Sequence, residues 1–143
     1  MKAFSSLVLI LSFACQPTAR AETVTATHAD GTKTVSVVDS RNNPLGTSDY
    51  GGDGSLTKKS VFERDQEGKV PKMTVQSADG KVKRTENYSY DQNGRAIATR
   101  RTTEVGSVWL RQEMYDKHGN HLQSRFVDPK GNGAKAEDWE RGK

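Results

Sequence analysis

The sequence predicts an all-β protein, an antiparallel up-and-down meander of hairpins that forms a single twisted sheet or a partly open barrel. Three observations lead to this prediction. Glycines recur at intervals of 12 to 14 residues from Gly54 to Gly131, several of them in Asp-Gly or Asn-Gly pairs that favour hairpin turns. The stretches between them alternate in polarity and are rich in Val, Thr, Tyr and Phe. After residue 21 no long stretch shows the helical period of 3.6 residues.

The clearest strand covers residues 107–115. Its alternate residues form two sets, with Val108, Leu110 and Met114 on one face and Trp109, Arg111, Glu113 and Tyr115 on the other. Similar stretches occur at residues 69–76, 81–90, 95–103 and 121–127. We therefore expect roughly seven to nine strands. Residues 40–57 are rich in turn formers and are predicted to form a long loop between an N-terminal hairpin and the main sheet.

The N-terminus has the features of a cleavable signal peptide over residues 1–21. Lys2 precedes an apolar run of about a dozen residues, as in the charged and hydrophobic regions of export signals. The run is shorter than the roughly 20 residues of a membrane span, so we expect no transmembrane segment. Ala19 and Ala21 form the small-x-small pattern of a cleavage site, which would start the mature chain at Glu22. We therefore expect a secreted or periplasmic protein.

Cys15 supports a second, less favoured form of export. Residues 11–15 read Leu-Ser-Phe-Ala-Cys and resemble the box in which a bacterial lipoprotein receives its lipid on the cysteine. The match is poor, because Ser12 stands where an aliphatic residue is usual and Phe13 is bulky for the next position. Cys15 is also the only cysteine of the chain, so a mature protein that begins at Glu22 contains no disulfide.

Length and composition indicate one thinly packed domain. We assign residues 22–133 to a β-meander domain and residues 134–143 to a C-terminal tail or short helix. Loss of Lys2 and Arg20 leaves 20 basic against 18 acidic residues, and this near balance argues against a nucleic-acid partner. Counted without glycine, hydrophobic residues make up 32% of the chain and about 27% of residues 22–143. Adding the 13 glycines raises the fraction of residues 22–143 to about 38%, where roughly 45–50% is usual. Such a chain predicts a thin sheet rather than a deep two-layer core.

Two segments share a motif at the end of a predicted strand. Residues 90–97 read Tyr-Asp-Gln-Asn-Gly-Arg-Ala-Ile, and residues 115–122 read Tyr-Asp-Lys-His-Gly-Asn-His-Leu. They resemble the YD repeat of bacterial Rhs-like surface and secreted proteins, and weaker copies bring the resemblance to about residues 62–132. In that family, long YD arrays build β-sheet shells and surface filaments, some of them linked to carbohydrate binding. The alternative is an ordinary hairpin meander with favourable turn chemistry.

Patterns typical of catalytic and metal sites are missing from the sequence, so we expect no enzyme activity and no cofactor. The mature chain has no Gly-x-Ser-x-Gly elbow, no phosphate-binding glycine loop and no cysteine. His118 and His121 flank a predicted turn and are expected to be solvent-exposed histidines rather than metal ligands. Glu86, Glu104 and Glu113 are expected to pair across strands with basic neighbours rather than to form the carboxylate pair of a glycosidase.

Basic and aromatic residues interleave on the predicted strands, and this pattern favours binding. We select Trp109, Tyr88, Arg100 and Arg111 as candidate binding residues, because rings and guanidinium groups stack on sugars and dominate protein interfaces. The sequence thus predicts an exported, non-enzymatic binding protein whose partner is a protein or carbohydrate of the envelope or extracellular space. Its oligomeric state is left open.

Two alternative functions follow from other parts of the chain. An inhibitor or immunity-type protein would block a partner enzyme with the predicted loop around Asp49 to Asp53. A structural surface component would assemble through the edges of its sheet.

Overall fold

A computed structural model describes residues 21–141 and confirms the all-β prediction, since ten antiparallel strands form one up-and-down meander. The strands are β1 (Glu22–Thr27), β2 (Lys33–Val38), β3 (Pro44–Tyr50), β4 (Leu56–Glu63), β5 (Lys72–Ser77), β6 (Val82–Tyr90), β7 (Ala96–Thr103), β8 (Val108–Tyr115), β9 (His121–Val127) and β10 (Gly133–Ala134). A six-residue helix, α1 (Ala136–Arg141), follows them. The predicted leader, with Cys15, lies outside the described residues except for Ala21.

Each strand pairs with the strands before and after it in the chain, so the order of the sheet is the order of the sequence. β1 and β10 stay at opposite edges, and the sheet is open rather than closed into a barrel. The tenth strand, beyond the number expected, is only two residues long. Within residues 21–141 no helix has the length and apolar character that a membrane span requires.

The expectation of a long loop over residues 40–57 is wrong, because β3 runs through this segment and pairs with both β2 and β4. Pro44 is its first residue, where a missing N–H is tolerated. Gly46 fits because a Cβ there would lie 2.9 Å from the Ser60 carbonyl oxygen. Asp49 to Asp53 therefore form the end of a strand and part of a tight turn, rather than the long loop on which the inhibitor hypothesis depended.

The hairpin turns share one pair of backbone hydrogen bonds. Asp91 N–H donates to the Arg95 carbonyl at 2.9 Å, and Gly94 N–H donates to the Asp91 carbonyl at 3.0 Å. This is a type I turn followed by a residue in the left-handed region, and Gly94 has a φ of 78°. The same two bonds close the turns that begin at His28, Asp39, Gly51, Asp65, Ser77, Thr103, Asp116 and Asp128.

An aspartate at the first position of the turn accepts hydrogen bonds from the backbone of its own loop. Asp91 Oδ1 accepts hydrogen bonds from the backbone N–H groups of Asn93 and Arg95, both at 2.9 Å. These bonds, foremost the one from Arg95, lower the pKa of Asp91 below its ordinary value of 3.8. Equivalent pairs of bonds are accepted by Asp39, Asp65, Asp116 and Asp128.

Tyrosines connect successive hairpins at one end of the sheet. Tyr90 Oη donates to the Val70 carbonyl at 2.9 Å, and Tyr115 Oη donates to the Ala96 carbonyl at 3.1 Å. A meander brings every second turn to the same end of the sheet, and Val70 and Ala96 each follow the preceding turn at this end. Each tyrosine therefore links its own hairpin to the previous one.

Basic side chains also link successive hairpins at this end of the sheet. Arg64, which precedes Asp65 as a tyrosine precedes Asp91, donates to the Pro44 carbonyl through Nε at 3.0 Å and Nη2 at 2.8 Å. The Lys69 ammonium lies 6.0 Å from the centre of the Tyr90 ring, and the Arg95 guanidinium lies 4.8 Å from that of Tyr115. The aromatic, acidic, glycine and basic positions of the YD-like segments thus each make a structural contact.

The described residues contain few buried side chains, and most of these share one face of the sheet. The buried side chains are Val38, Val75, Trp109, Trp139, Ser60, Glu86, Thr99 and Arg101. Cross-strand partners lie on the same face, and Glu86 is opposite Arg101, which is opposite Trp109. We call this the packed face. The open face carries exposed residues that include Val61, Arg100, Leu110 and Met114.

Gly94→Ala should lower the free energy of unfolding by about 1 kcal/mol, because a side chain is disfavoured at a φ of 78°. Gly133→Ala is the matched control, since no atom lies within 4 Å of the new Cβ and its effect should stay within about 0.5 kcal/mol. Urea unfolding of both variants measures the difference. Equal effects would show that the left-handed position does not limit the turn.

Asp91→Asn should destabilise the protein at neutral pH and have little effect in acid. The folded-state pKa of Asp91 lies below 3.8, so the carboxylate stabilises the fold above that pH. Its contribution is lost as the pH falls through the lowered pKa, and the variant and wild type should then converge. Urea unfolding between about pH 7 and about pH 2 tests this. A difference that does not change with pH would contradict a role for the charge.

Candidate functional site

A depression on the packed face contains the side chains best placed to meet a ligand. The register sets Tyr88, Thr99 and Arg111 side by side on β6, β7 and β8. The depression has a volume of about 360 Å³ and is lined by Tyr88, Ala96, Thr99, Arg111, Glu113, Tyr115 and His121. Small-molecule sites in proteins run from roughly 300 to 1,000 Å³, so the space suits a small ligand or one segment of a larger one.

Glu113 holds the charged groups of the depression in place. Its Oε2 accepts a hydrogen bond from Ser124 Oγ at 2.6 Å and lies 2.7 Å from His121 Nε2. Its Oε1 forms an ion pair with Arg111, whose Nε does not have the geometry of a directed hydrogen bond. Burial acts to raise the pKa of Glu113, but the hydrogen bonds from Ser124 and His121 and the charge of Arg111 outweigh it, so the pKa falls below 4.5. Glu113 is therefore a carboxylate at neutral pH.

Ser124, His121 and Glu113 do not form the relay of a serine hydrolase. Ser124 Oγ and Glu113 Oε2 lie 3.3 Å and 2.7 Å from the same ring nitrogen, Nε2 of His121. A relay needs the serine and the carboxylate on opposite nitrogens of the ring. Ser124 donates its hydroxyl proton to the carboxylate instead. The hydroxyl is therefore hydrogen-bonded to a carboxylate whose lowered pKa makes it a weak base, and it does not donate to the imidazole.

The two tyrosines of the depression are held through their hydroxyl groups. Tyr88 Oη donates to Glu86 Oε2 at 2.6 Å. Burial and, next, this hydrogen bond raise the pKa of Tyr88 well above its ordinary value, so the phenol stays protonated. Tyr115 is held by its bond to Ala96, and His121 meets its ring edge-on with the ring centres 5.5 Å apart. Side chains held in this way lose little conformational freedom when a ligand binds.

A buried ion pair beside the depression joins the central strands to the C-terminal helix. Arg101 Nε donates to Glu86 Oε1 at 2.8 Å, and the two side chains are only 6% and 7% exposed. Trp139 of α1 covers the pair, with the Arg101 guanidinium 4.0 Å from its ring centre and donating to its carbonyl oxygen. Arg84 Nε lies 3.1 Å from the same Glu86 oxygen. Glu86 therefore connects the helix, two strands and Tyr88.

The four binding residues predicted from the sequence lie in three different settings. Tyr88 and Arg111 line the depression. Trp109 lies on the same face but is 5% exposed, and it lines a separate cavity of about 270 Å³ against β10 and α1. Arg100 lies on the open face. The four do not share one surface, because side chains alternate along β7 and Arg101, rather than Arg100, is opposite Trp109.

Glu113, Tyr115 and His121 line the depression but are not among the residues selected from the sequence. The alternation along β8 carries a signal for the first two, because residues 111, 113 and 115 share a face. The position of His121 depends on the pairing of β8 with β9, where a register shift brings it opposite Tyr115. In the part of the chain that the structure describes, no group of three or more His, Cys, Asp or Glu side chains is arranged to hold a metal ion.

Arg101→Ala should lower the free energy of unfolding by about 3–5 kcal/mol, because it leaves Glu86 buried without its principal cation. Arg100→Ala is the matched control, an adjacent arginine on the open face whose loss should change stability by less than about 0.5 kcal/mol. Chemical denaturation followed by tryptophan fluorescence measures both. Similar losses would mean that the buried pair does not anchor the sheet.

Comparisons with known proteins were made by family and by individual sequence. No model of a known protein family matches the chain, and no curated protein matches it. The functional conclusion therefore depends on the geometry of the chain's own residues.

Proposed function

We propose that this chain is an exported, non-enzymatic binding protein that holds a carbohydrate of the cell envelope or extracellular space in the depression around Tyr88 and Arg111. The observation that supports it is a set of immobilised ring and charged groups on an exposed part of the packed face. The proposal of export rests on the leader predicted at residues 1–21.

The chemistry of the lining favours a sugar. Thr99, Arg111, Glu113 and His121 supply hydrogen-bond donors and acceptors, which match the hydroxyl groups of a carbohydrate. Tyrosine rings among them offer apolar surface for the C–H faces of a sugar ring. The depression is open to solvent along its length, so an internal segment of a polysaccharide would fit as well as an end.

A protein ligand is the alternative, and the position of the exposed apolar side chains bears on it. Protein interfaces are usually anchored by apolar or aromatic side chains that become fully buried. None of the exposed large apolar side chains of the described residues lines the depression, and Val61, Leu110 and Met114 lie on the open face. A protein partner would therefore be expected to use a different surface from the one proposed for the carbohydrate.

Arg111→Ala should reduce retention of the purified protein on the host's insoluble wall and polysaccharide fractions by about tenfold or more, because it removes a fixed cation from the depression. Arg100→Ala should bind like wild type, since its side chain lies on the opposite face. A co-sedimentation assay across a range of polysaccharide concentrations gives the affinities.

Matching urea midpoints for the two arginine variants establish that folding is intact. Equal retention of wild type and Arg111→Ala would overturn the proposed site. Specific capture of a single protein, with no retention on carbohydrate, would replace the sugar with the protein alternative.

A further inference from the structure

The two edges of the sheet differ in their protection. At the C-terminal edge β10 pairs with Phe126 and Val127 of β9, and Trp139 of α1 lies on the packed face. The rest of β9 has no strand partner on its outer side among the described residues, but it carries Arg125 and pairs with β8 through a register shift. At the N-terminal edge all six residues of β1 are exposed, and no described residue pairs with its outer side. Natural edge strands are usually blunted by lysine, proline or a bulge. β1 reads Glu-Thr-Val-Thr-Ala-Thr and pairs with β2 without a register shift, so it has none of these features.

The backbone groups on the free side of β1 follow from its pairing with β2. His28 N–H donates to the Thr32 carbonyl at 2.9 Å where the hairpin turn begins. In an antiparallel pair, alternate residues direct both backbone groups to the partner strand. Ala26 and Val24 therefore face β2, with Thr34 and Ser36 opposite them. The N–H and C=O groups directed away from the sheet belong to Thr23, Thr25 and Thr27.

We infer that the outer edge of β1 pairs antiparallel with β1 of a second copy of this chain, about a twofold axis at Thr25. In this register Thr25 is opposite its own counterpart, and Thr23 is opposite Thr27 of the second copy. Each of these pairs exchanges two backbone hydrogen bonds, so all the outward groups of the three threonines are satisfied together. The result is one continuous sheet across both copies.

The side chains of this register are also complementary. The threonines meet across the axis on the open face, where threonine pairs are favourable. On the packed face Val24 is opposite Ala26, and Glu22 is opposite His28 of the second copy, so a carboxylate faces an imidazole. An edge that matches itself in both backbone and side chains favours a closed twofold dimer over an open filament.

Charged substitutions at Thr25, the residue on the twofold axis, test the inferred self-association. Thr25→Lys and Thr25→Glu each place like charges opposite one another, so each variant alone should raise the dimer dissociation constant by roughly fivefold. An equimolar mixture of the two should recover the dimer, because opposite charges then meet. Sedimentation velocity of the full chain, of each variant and of the mixture distinguishes these states. Ser89→Lys, at an exposed position of β6 away from both edges, is the control and should dimerise like wild type.

Thr25→Pro tests the backbone contribution. It removes the outward N–H group and leaves the groups that face β2 intact, and proline is tolerated at such an edge position. The far-ultraviolet circular dichroism should stay unchanged while the dissociation constant rises about tenfold or more. Wild type that remains monomeric at millimolar concentration would overturn the inference. So would undiminished dimerisation of Thr25→Lys and Thr25→Pro. Carbohydrate retention measured at protein concentrations below the dimer dissociation constant, where both proteins are monomers, should be the same for Thr25→Pro and wild type, so this inference and the proposed function can fail separately.

Discussion

The left-handed residue that closes each hairpin is the constraint on which the rest of this sheet depends. At Gly94 and at its counterparts in the other turns, a positive φ sets the loop at the same length each time. Because side chains alternate along a strand, the loop length decides which residues of the next strand share a face. A slip of one residue in β7 would carry Arg101 to the open face and leave Glu86 without its partner.

Polar contacts between strands contribute much of the stability that a deep hydrophobic core provides in other domains. Only a few apolar side chains are buried in the described residues, and each contributes about 1.5–3 kcal/mol. A partly buried hydrogen bond contributes about 0.5–1.5 kcal/mol net, so each tyrosine bond between hairpins is of comparable weight. The aspartate bonds in the turns fix the conformation of each loop. The buried Glu86–Arg101 pair is tolerated because Tyr88 and Trp139 complete its hydrogen bonding.

In the candidate site, ion pairs and hydrogen bonds of the same kind position the side chains that would meet a ligand. Glu113 neutralises Arg111 and orients His121 at the end of the sheet where Tyr115 links two hairpins. The depression is therefore preorganised by interactions that also hold the strands together. It lies on β6 to β9, whereas the exposed edge strand is β1, so the proposed ligand binding and the inferred association through β1 would use separate surfaces.

Local sequence determined the turns and the alternation of the strands. Asp-x-x-Gly segments such as Asp91 to Gly94 stabilise a turn through their own backbone and side chain, and the two sets of residues on β8 follow from a period of two. Features that depend on distant contacts were not accessible in this way. Pro44 and Gly46 are turn formers by composition, yet pairing with β2 and β4 makes that segment a strand. Trp109 is buried because β10 and α1 pack beside it, and His121 meets Glu113 because β9 pairs with β8. The pairing of strands and the docking of a helix join residues far apart in the chain, so the pattern of any one segment does not contain them.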